Sequence, residues 1–230
     1  MNFLTGQILT SDKPLGLTSF QLVAKVRWLL TRAMGGVKIK VGHAGTLDPL
    51  ASGVMVVCTG RATKQIDTLQ AGVKEYIATL RLGATTPSFD LEHPIDHTLV
   101  ETQLKKFIGD IWQTPPAFSA VKVDGKRAYD LARKGKEVEL KPKLLRIDEL
   151  ELLDCALAGA EKFLTIRVVC SKGTYIRALA RDIGEALGSG AHLTSLRRTR
   201  VGDFRVEDCM QLDDFEGWLA QQTIETELPQ

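Results

Sequence analysis

Residues 42–49 read GHAGTLDP, and the apolar run VMVVC follows at residues 54–58. Pro49 disfavours a helical conformation at the residue before it, so Asp48 is predicted to lie on extended or turn backbone. The two glycines of the stretch permit backbone angles that a side chain forbids. The apolar run has the length and composition of a buried strand. The pattern therefore predicts a carboxylate held in a glycine-rich loop beside a core strand, where it can act on a substrate.

The remaining chain predicts an α+β fold, in which a mixed, largely antiparallel central sheet is flanked by helices, because strands and helices interleave without a strict βαβ rhythm. Thr18 and Gln21 can cap a helix that ends near residues 35–36. Thr174 is predicted to cap another helix, which Gly188 ends. Strands are predicted at residues 54–58, 74–82, 147–153 and 163–170, and further helices at residues 61–70 and 100–109.

The composition is that of a globular protein, with 230 residues of which 44% are hydrophobic. This length suits one large domain, or one domain with an insertion. The four cysteines are far apart and form no Cys-x-x-Cys pair, so reduced thiols are expected rather than disulfides or zinc ligands. No apolar run reaches about 18 residues and no signal-peptide pattern is present, so a cytoplasmic protein without membrane contact is expected.

Basic residues are concentrated in one segment of the chain. Residues 121–146 hold nine lysines and arginines against four acidic residues, a local net charge of +5 in a chain whose total is +2. Residues 120–146 also contain few large apolar side chains, which predicts an excursion from the core. A solvated surface would explain such a run, but a basic arm on a slightly acidic body is also what phosphate binding requires.

The loop at residues 42–49 carries a resemblance to a known family. An isolated Asp-Pro pair more often closes a turn, but all eight residues match the signature loop of the TruB family of tRNA pseudouridine synthases, which modify the T-loop. Further strings resemble the same family in the same order: KPLGLTS at 13–19, KEY at 74–76, PPAFSAVK at 115–122 with GKRAY at 125–129, GTYIR at 173–177, and LRR at 196–198 followed by GDF at 202–204. The chain thus resembles a short bacterial member, with a pseudouridine synthase fold.

The resemblance implies roles for individual residues. Asp48 corresponds to the catalytic nucleophile, Arg177 to the arginine whose ion pair keeps that aspartate ionised, and Tyr76 to the active-site tyrosine. Tyr76 could stack on the target base or take a proton from it. The residues expected to contact the substrate are His43, Tyr76, Tyr175 and Leu196.

The implied activity is the isomerisation of uridine to pseudouridine at position 55 in the T-loop of tRNA, by base flipping and covalent catalysis. This reaction neither oxidises nor hydrolyses its substrate, so no redox cofactor or metal is required. The expected partner is the T-arm stem-loop of tRNA, without an obligate protein partner. Residues 1–210 would form the catalytic domain, with an RNA-gripping insertion at about 120–146. Residues 211–230 would form a short tail, too short for the additional C-terminal RNA-binding domain of many relatives.

Two other functions stay open on the sequence. A non-catalytic RNA-binding module, such as a chaperone of the tRNA elbow, could use the same basic segment. A carboxylate-based hydrolase could use Asp48 with Asp90, although the stretch around Asp90 matches the family loosely and Asp90 receives no catalytic role. His93 and His97 have the spacing of a helical metal pair, but Pro94 between them argues against a helix. The combination of Asp48, Tyr76 and Arg177 favours the synthase, because RNA binding alone does not require it.

Overall fold

The computed structural model describes residues 1–83, 95–119, 121–123, 125–135, 139–158 and 161–227. The chain divides into a first unit, formed by Met1–Tyr76 and Leu196–Gln230, and a second unit, Ile77–Ser195. The elements in chain order are β1 (Ile8–Lys13), α1 (Ser19–Ala33), β2 (Val41–His43), β3 (Ser52–Thr59), α2 (Ile66–Ala71), β4 (Lys74–Leu82), α3 (His97–Lys105), β5 (Gly109–Gln113), β6 (Lys122–Val123), β7 (Lys126–Arg127), α4 (Ala128–Ala132), β8 (Lys143–Ala156), β9 (Lys162–Cys170), α5 (Ile176–Ala186), β10 (Ala191–Val201), β11 (Phe204–Arg205), β12 (Met210–Gln211) and α6 (Phe215–Ala220).

Ten of these strands belong to a mixed sheet that is mostly antiparallel, as predicted. In the first unit the strand order is β12-β1-β3-β10, with β2 paired to β3 and β11 to β10. Two of these pairs, β1 with β12 and β3 with β10, are parallel. In the second unit β9, β8 and β5 follow one another, and the β5–β8 and β8–β9 pairs are antiparallel. The α+β prediction is therefore confirmed.

Helix α1 follows its sequence signals closely. Thr18 and Gln21 form a capping box, because the side chain of each bonds the backbone N–H of the other. The helix buries one apolar face, which includes Leu22, Val26 and Leu30. It ends before two glycines that adopt positive φ angles, as predicted.

Strand β3 is the central strand of the first unit. Its residues are apolar because the strand is buried between neighbouring strands on both edges. It pairs antiparallel with β1 and parallel with β10. Every residue from Gly53 to Thr59 is buried. Gly53 has a φ of +108°, and a Cβ there would lie 2.1 Å from the carbonyl oxygen of Arg198. The backbones of β3 and β10 can therefore approach each other closely because residue 53 lacks a side chain.

Two helix predictions need correction. The helix predicted at residues 100–109 is α3, which begins at His97 after an Asp96 cap and ends at Lys105. Gly109 instead begins β5, because it pairs with Ile147 of the neighbouring strand β8. Thr174 does not cap α5: the N-cap residue is Tyr175, and the Thr174 hydroxyl donates to the carbonyl of Ser171 at 3.0 Å.

The basic excursion is shorter than its charge pattern indicates. Residues 143–146 lie in β8 and pair with β5, where Asp110 faces Arg146. Earlier in the segment, β6 and β7 form a hairpin that leads into α4, where Ala128 is buried. Charge alone does not distinguish a loop from the exposed face of a strand. The predicted excursion therefore extended to residue 146, although β8 begins at Lys143.

The last residues of the described chain are folded rather than trailing from the first unit. Strand β12 pairs with β1, and α6 buries Phe215 and Leu219. Asn2 forms an isolated bridge with Glu225. None of the helices within the described ranges has the length and apolar character that crossing a membrane requires.

Candidate active site

Asp48 lies in the loop that joins β2 to β3, here called the Asp48 loop (residues 44–51). The loop opens with a hydrogen bond from the Ala44 N–H to the carbonyl of Val56 at 2.9 Å. It closes with one from the Ala51 N–H to the carbonyl of Asp48 at 3.0 Å, so residues 48–51 form a turn with Pro49 at its second position. Asp48 is half-buried and Leu50 is exposed. The predicted non-helical backbone at Asp48 is confirmed.

The residues on either side of Asp48 are held by the segment at 13–19. The buried hydroxyl of Ser19 accepts from the Leu47 N–H at 2.8 Å and donates to the Leu47 carbonyl at 2.9 Å. The Gly16 N–H donates to the carbonyl of Pro49 at 2.8 Å. One side chain thus satisfies both backbone groups of the residue before Asp48, which limits the freedom of the loop.

Arg198 holds the other half of the loop. Its guanidinium donates to the carbonyls of Gly45 at 3.2 Å and Thr46 at 3.4 Å, and to that of Val54 in β3 at 2.7 Å. Sequence analysis assigned no role to Arg198 or to Ser19, although both lie in strings that were recognised. Their contacts span 153 and 28 residues of chain, so no local pattern could have revealed them.

Lys13 is a further cation that interacts electrostatically with Asp48. Its side chain is fully buried, and the ammonium donates to the carbonyls of Pro14 and Leu17, each at 2.8 Å. Burial lowers the pKa of Lys13, the charge of Arg198 lowers it further, and the charge of Asp48 opposes both effects. The carboxylate of Asp48 therefore lies within electrostatic reach of the buried Lys13.

The sequence predicted His43 to lie in the loop. It is instead the last residue of β2. It pairs with Val57, and its Nδ1 is buried without a hydrogen bond of normal geometry among the described residues. Burial lowers the pKa of His43 below its ordinary value of 6.5, and the charge of Arg198 lowers it further, against an opposing effect of the Gly45 backbone. The imidazole is therefore neutral at pH 7, which suits stacking on a base.

We expect His43 to titrate with a midpoint below that of a histidine in an unfolded peptide, which nuclear magnetic resonance would follow directly. Because the pKa is lower in the folded state, the unfolded state binds more protons in the window below about pH 6.5. The contribution of His43 to stability is therefore complete above that pH and is lost as the pH falls. A midpoint at or above 6.5 would contradict the assignment of a neutral, partly buried imidazole.

Two more of the predicted site residues lie in the first unit with Asp48 and His43. Tyr76 belongs to β4, where it is 9% exposed and shares the buried face with Lys74 and Ala78. Leu196 lies half-buried on β10. Beside Tyr76, the carboxylate of Glu75 accepts a hydrogen bond from Thr199 at 2.8 Å. The strand predicted at residues 74–82 is confirmed, and its buried positions alternate with more exposed ones.

Tyr175 and Arg177 lie in the second unit, at the start of α5. The Tyr175 N–H donates to the side-chain oxygen of Gln113 at 2.9 Å. The Arg177 guanidinium donates to the carbonyl of Phe118 at 3.0 Å, which ties the first turn of α5 to the segment that follows β5. Both side chains are half-buried.

Three of the residues considered for the hydrolase and metal alternatives are not placed by the structure. Asp90, His93 and Pro94 lie outside the described residues. His97 begins α3, where it is exposed and lies 3.9 Å from the carboxylate of Glu101. Within the described ranges, no group of three or more His, Cys, Asp or Glu side chains is arranged to hold a metal ion.

Two protein-family profiles together match the chain from residue 32 to residue 230. Residues 32–176 match the profile described as TruB family pseudouridylate synthase (N terminal domain). Residues 177–230 match the profile described as tRNA pseudouridylate synthase B C-terminal domain. The second match includes the segment that sequence analysis expected to be a short tail.

Several individual proteins are similar to the chain. The tRNA pseudouridine synthase B of Bacteroides thetaiotaomicron is 63% identical, over 99% of this chain and 98% of that protein. That of Flavobacterium johnsoniae is 48% identical, over 93% and 96%. Among solved structures, a chain of a Cbf5-Nop10-Gar1 complex superposes with a TM-score of 0.70 at 31% identity, over 94% of this chain and 55% of the other. The present chain thus spans about half the length of that solved chain.

Proposed function

The chain belongs to the TruB family of pseudouridylate synthases, and on that premise we propose that Asp48 is the nucleophile with which it converts uridine 55 in the T-loop of tRNA. The enzyme is a tRNA pseudouridine(55) synthase, an isomerase. The observation that carries the assignment of Asp48 is its place in a loop whose backbone is braced on both sides of it. Fixed backbone around a reacting group is what orientation in catalysis requires.

The reaction exchanges one bond between base and sugar for another. The bond from N1 of uracil to C1′ of the ribose breaks, the base turns, and C5 becomes bonded to C1′. C5 loses a proton and N1 gains one, so nothing is oxidised and no water is consumed. The Asp48 carboxylate attacks covalently, at the ribose or at the uracil ring, and is released when the new bond is complete.

The target base must leave the RNA stack to reach Asp48, at a cost of roughly a few kcal/mol. Tyr76 offers an aromatic face on which the base stacks, and such stacking contributes about 1–3 kcal/mol. Leu196 covers the opposite face of the base. The Tyr76 hydroxyl is the group proposed to take the proton from C5.

Arg177 is proposed to be the cation that keeps Asp48 ionised, a role that the family motif implies. A guanidinium has five N–H donors in a fixed plane, and the carbonyl of Phe118 uses one of them. Tyr175, the N-cap residue of α5, is proposed to frame the substrate. His43 is proposed to stack on a base next to the flipped one.

The basic insertion is proposed to hold the phosphates of the T-arm. Seven of its described cationic residues are exposed: Lys122, Lys126, Arg133, Lys134, Lys141, Lys143 and Arg146. The proposed domain division is a catalytic domain at residues 1–210, with this insertion, and the short segment that follows it. tRNA is the partner that the function requires, and the cytoplasm is the proposed compartment.

Replacing Lys126 and Lys134 together by Gln is expected to weaken RNA binding at low salt and to flatten its salt dependence. Each lost phosphate contact reduces the slope of log K against log salt by about 0.7–0.9. The turnover rate with saturating RNA should change little, because the two lysines contact phosphate and not the reacting base. Binding titrations at several salt concentrations measure both quantities.

The matched control replaces Lys105 and Lys106, which are exposed elsewhere in the second unit, by Gln. It removes the same charge, so an effect of net charge alone would change the slope equally in both variants. An unchanged slope in the Lys126/Lys134 variant would show that the insertion does not contact the RNA. Lys136, another candidate in the same segment, lies outside the described residues.

Incubation with an unmodified T-arm stem-loop, followed by nucleoside analysis, separates the candidate functions. The synthase converts one uridine to pseudouridine without loss of mass. A chaperone or binding module would leave the nucleoside composition unchanged although RNA is bound. A hydrolase would release a fragment or free uracil. The second and third results would each contradict the proposal.

A further inference from the structure

Arg197 and Arg198 are neighbours on β10 with opposite environments, because consecutive side chains of a strand point to opposite faces. Arg197 is partly exposed and forms an ion pair with Asp12 at 2.7 Å. Arg198 is 1% exposed, and among the described residues no carboxylate forms a salt bridge with it. Arginine is rarely buried so completely without a paired charge. Within the described residues, the hydrogen bonds of this buried guanidinium all go to backbone carbonyls.

The carbonyls that Arg198 bonds lie on both sides of Asp48 in the sequence. The Nε and Nη2 atoms donate to Val54 at 2.9 and 2.7 Å, at the start of β3. The Nη2 and Nη1 atoms donate to Gly45 and Thr46 in the first half of the Asp48 loop. One planar group therefore ties the beginning of the loop to the strand that follows it, which a single ammonium could not reproduce.

The backbone of β10 fixes where this guanidinium lies. Arg198 pairs with Gly53 in the parallel register of β10 and β3. The close approach of the two strands is possible because residue 53 has no Cβ. The side chain therefore starts directly beside β3, the strand that follows the Asp48 loop.

The two halves of the Asp48 loop are held in different ways. Ser19 and Gly16 bond the backbone of Leu47 and Pro49, next to Asp48. Arg198 supplies the side-chain hydrogen bonds to Gly45 and Thr46. Gly45 has a φ of +104°, a conformation that glycine adopts freely and leaves freely. The half of the loop with the more adaptable backbone is thus the half that Arg198 holds.

We propose that Arg198 is a positioning residue for Asp48, which keeps the loop in the geometry for attack by bonding the carbonyls of Gly45, Thr46 and Val54. This inference rests on the proposed role of Asp48. Arg198 does not touch the substrate and acts through the loop. A shift of about 1 Å in a reacting group can lower a rate about 100-fold. Loss of the brace should therefore lower the rate of the chemical step more than the affinity for RNA.

The test compares Arg198→Lys with Arg32→Lys, a control in an exposed ion pair of the first unit. Single-turnover rates are measured with saturating T-arm RNA, and Kd and thermal melting are measured in parallel. We expect Arg198→Lys to lower the rate at least about tenfold, while Kd stays within about threefold of wild type and melting remains cooperative. Arg32→Lys should match wild type in all three measurements.

A rate for Arg198→Lys within about threefold of wild type would overturn the proposal. So would a loss of RNA affinity equal to the loss of rate, because that is the result of a general structural defect. Addition of guanidinium ion to Arg198→Ala should restore part of the rate, and ammonium ion should not. Failure of that rescue in a variant that folds would also count against the proposal.

Should these variants not fold, hydrogen exchange of the wild-type protein provides the test. We expect the backbone amides of Gly45 and Thr46, which Ser19 does not bond, to exchange more slowly than those of an unbraced loop, and exchange at the rate of an unbraced loop would overturn the proposal. The proposed function is checked separately. Absence of pseudouridine formation by the wild type contradicts the function, whereas an active wild type with an equally active Arg198→Lys contradicts the positioning role alone.

Discussion

Replacing Asp48 by Asn is expected to lower the rate of pseudouridine formation by about 10⁴-fold or more, the scale measured when catalytic side chains that act as nucleophiles are removed. Asparagine keeps the shape of the side chain but cannot form the covalent bond to the substrate. The loop itself should persist, because the hydrogen bonds that brace it come from Ser19, Gly16 and Arg198 and reach backbone atoms. RNA affinity is therefore expected to stay within about threefold of wild type.

Single-turnover assays with saturating T-arm RNA, alongside a binding titration, measure these effects. Asp67→Asn is the matched control, because Asp67 is an exposed carboxylate on α2 of the same unit. That variant should keep the wild-type rate. A rate for Asp48→Asn within about tenfold of wild type would be too fast for an enzyme that has lost its nucleophile, and the proposed mechanism would be wrong.

Replacing Arg177 by Lys is expected to lower the rate at least about tenfold, although the charge is conserved. A guanidinium can hold a carboxylate with two parallel hydrogen bonds, whereas an ammonium is a mobile point charge. The change also removes the bond from the guanidinium to the carbonyl of Phe118. Orientation of Asp48 and order in the first turn of α5 should therefore both be impaired.

Arg181, one turn later on the same helix, offers the control. Its guanidinium donates to the carbonyl of Thr114 at 3.2 Å and pairs with Asp182, so it makes bonds of the same kind as Arg177. Arg181→Lys should retain most of the wild-type rate. If Arg177→Lys stayed within about threefold of wild type, a loss of under 1 kcal/mol, Arg177 would not orient Asp48.

The parts of the fold that sequence analysis predicted correctly are those with strong local signals. Helix α1 has a capping box and a terminating pair of glycines, and β4 has a strict alternation of buried and partly exposed residues. Two of the errors arose where distant partners decide the structure. Gly109 extends β5 because β8 lies beside it, and Lys143–Arg146 form strand for the same reason, although their charges indicate solvent.

The candidate site was predictable to a similar extent. The eight residues around Asp48 identified the loop through a family resemblance, and physical reasoning predicted its turn geometry. Lys13, Ser19 and Arg198 were not assigned, because their roles exist only once the segment at 13–19 and strand β10 meet the loop. The pair of adjacent arginines was the available signal, since a strand with one covered face buries one of two consecutive side chains.

The most direct test of the account is a position-resolved count of pseudouridine in a full-length unmodified tRNA transcript after treatment with the enzyme. The account predicts one pseudouridine for each tRNA, at position 55 of the T-loop, and none with Asp48→Asn. The hydrogen bound to C5 should be released in equal amount, because C5 forms the new bond to the sugar. Absence of pseudouridine with the wild type, its formation at another position, or its formation by Asp48→Asn would contradict the account.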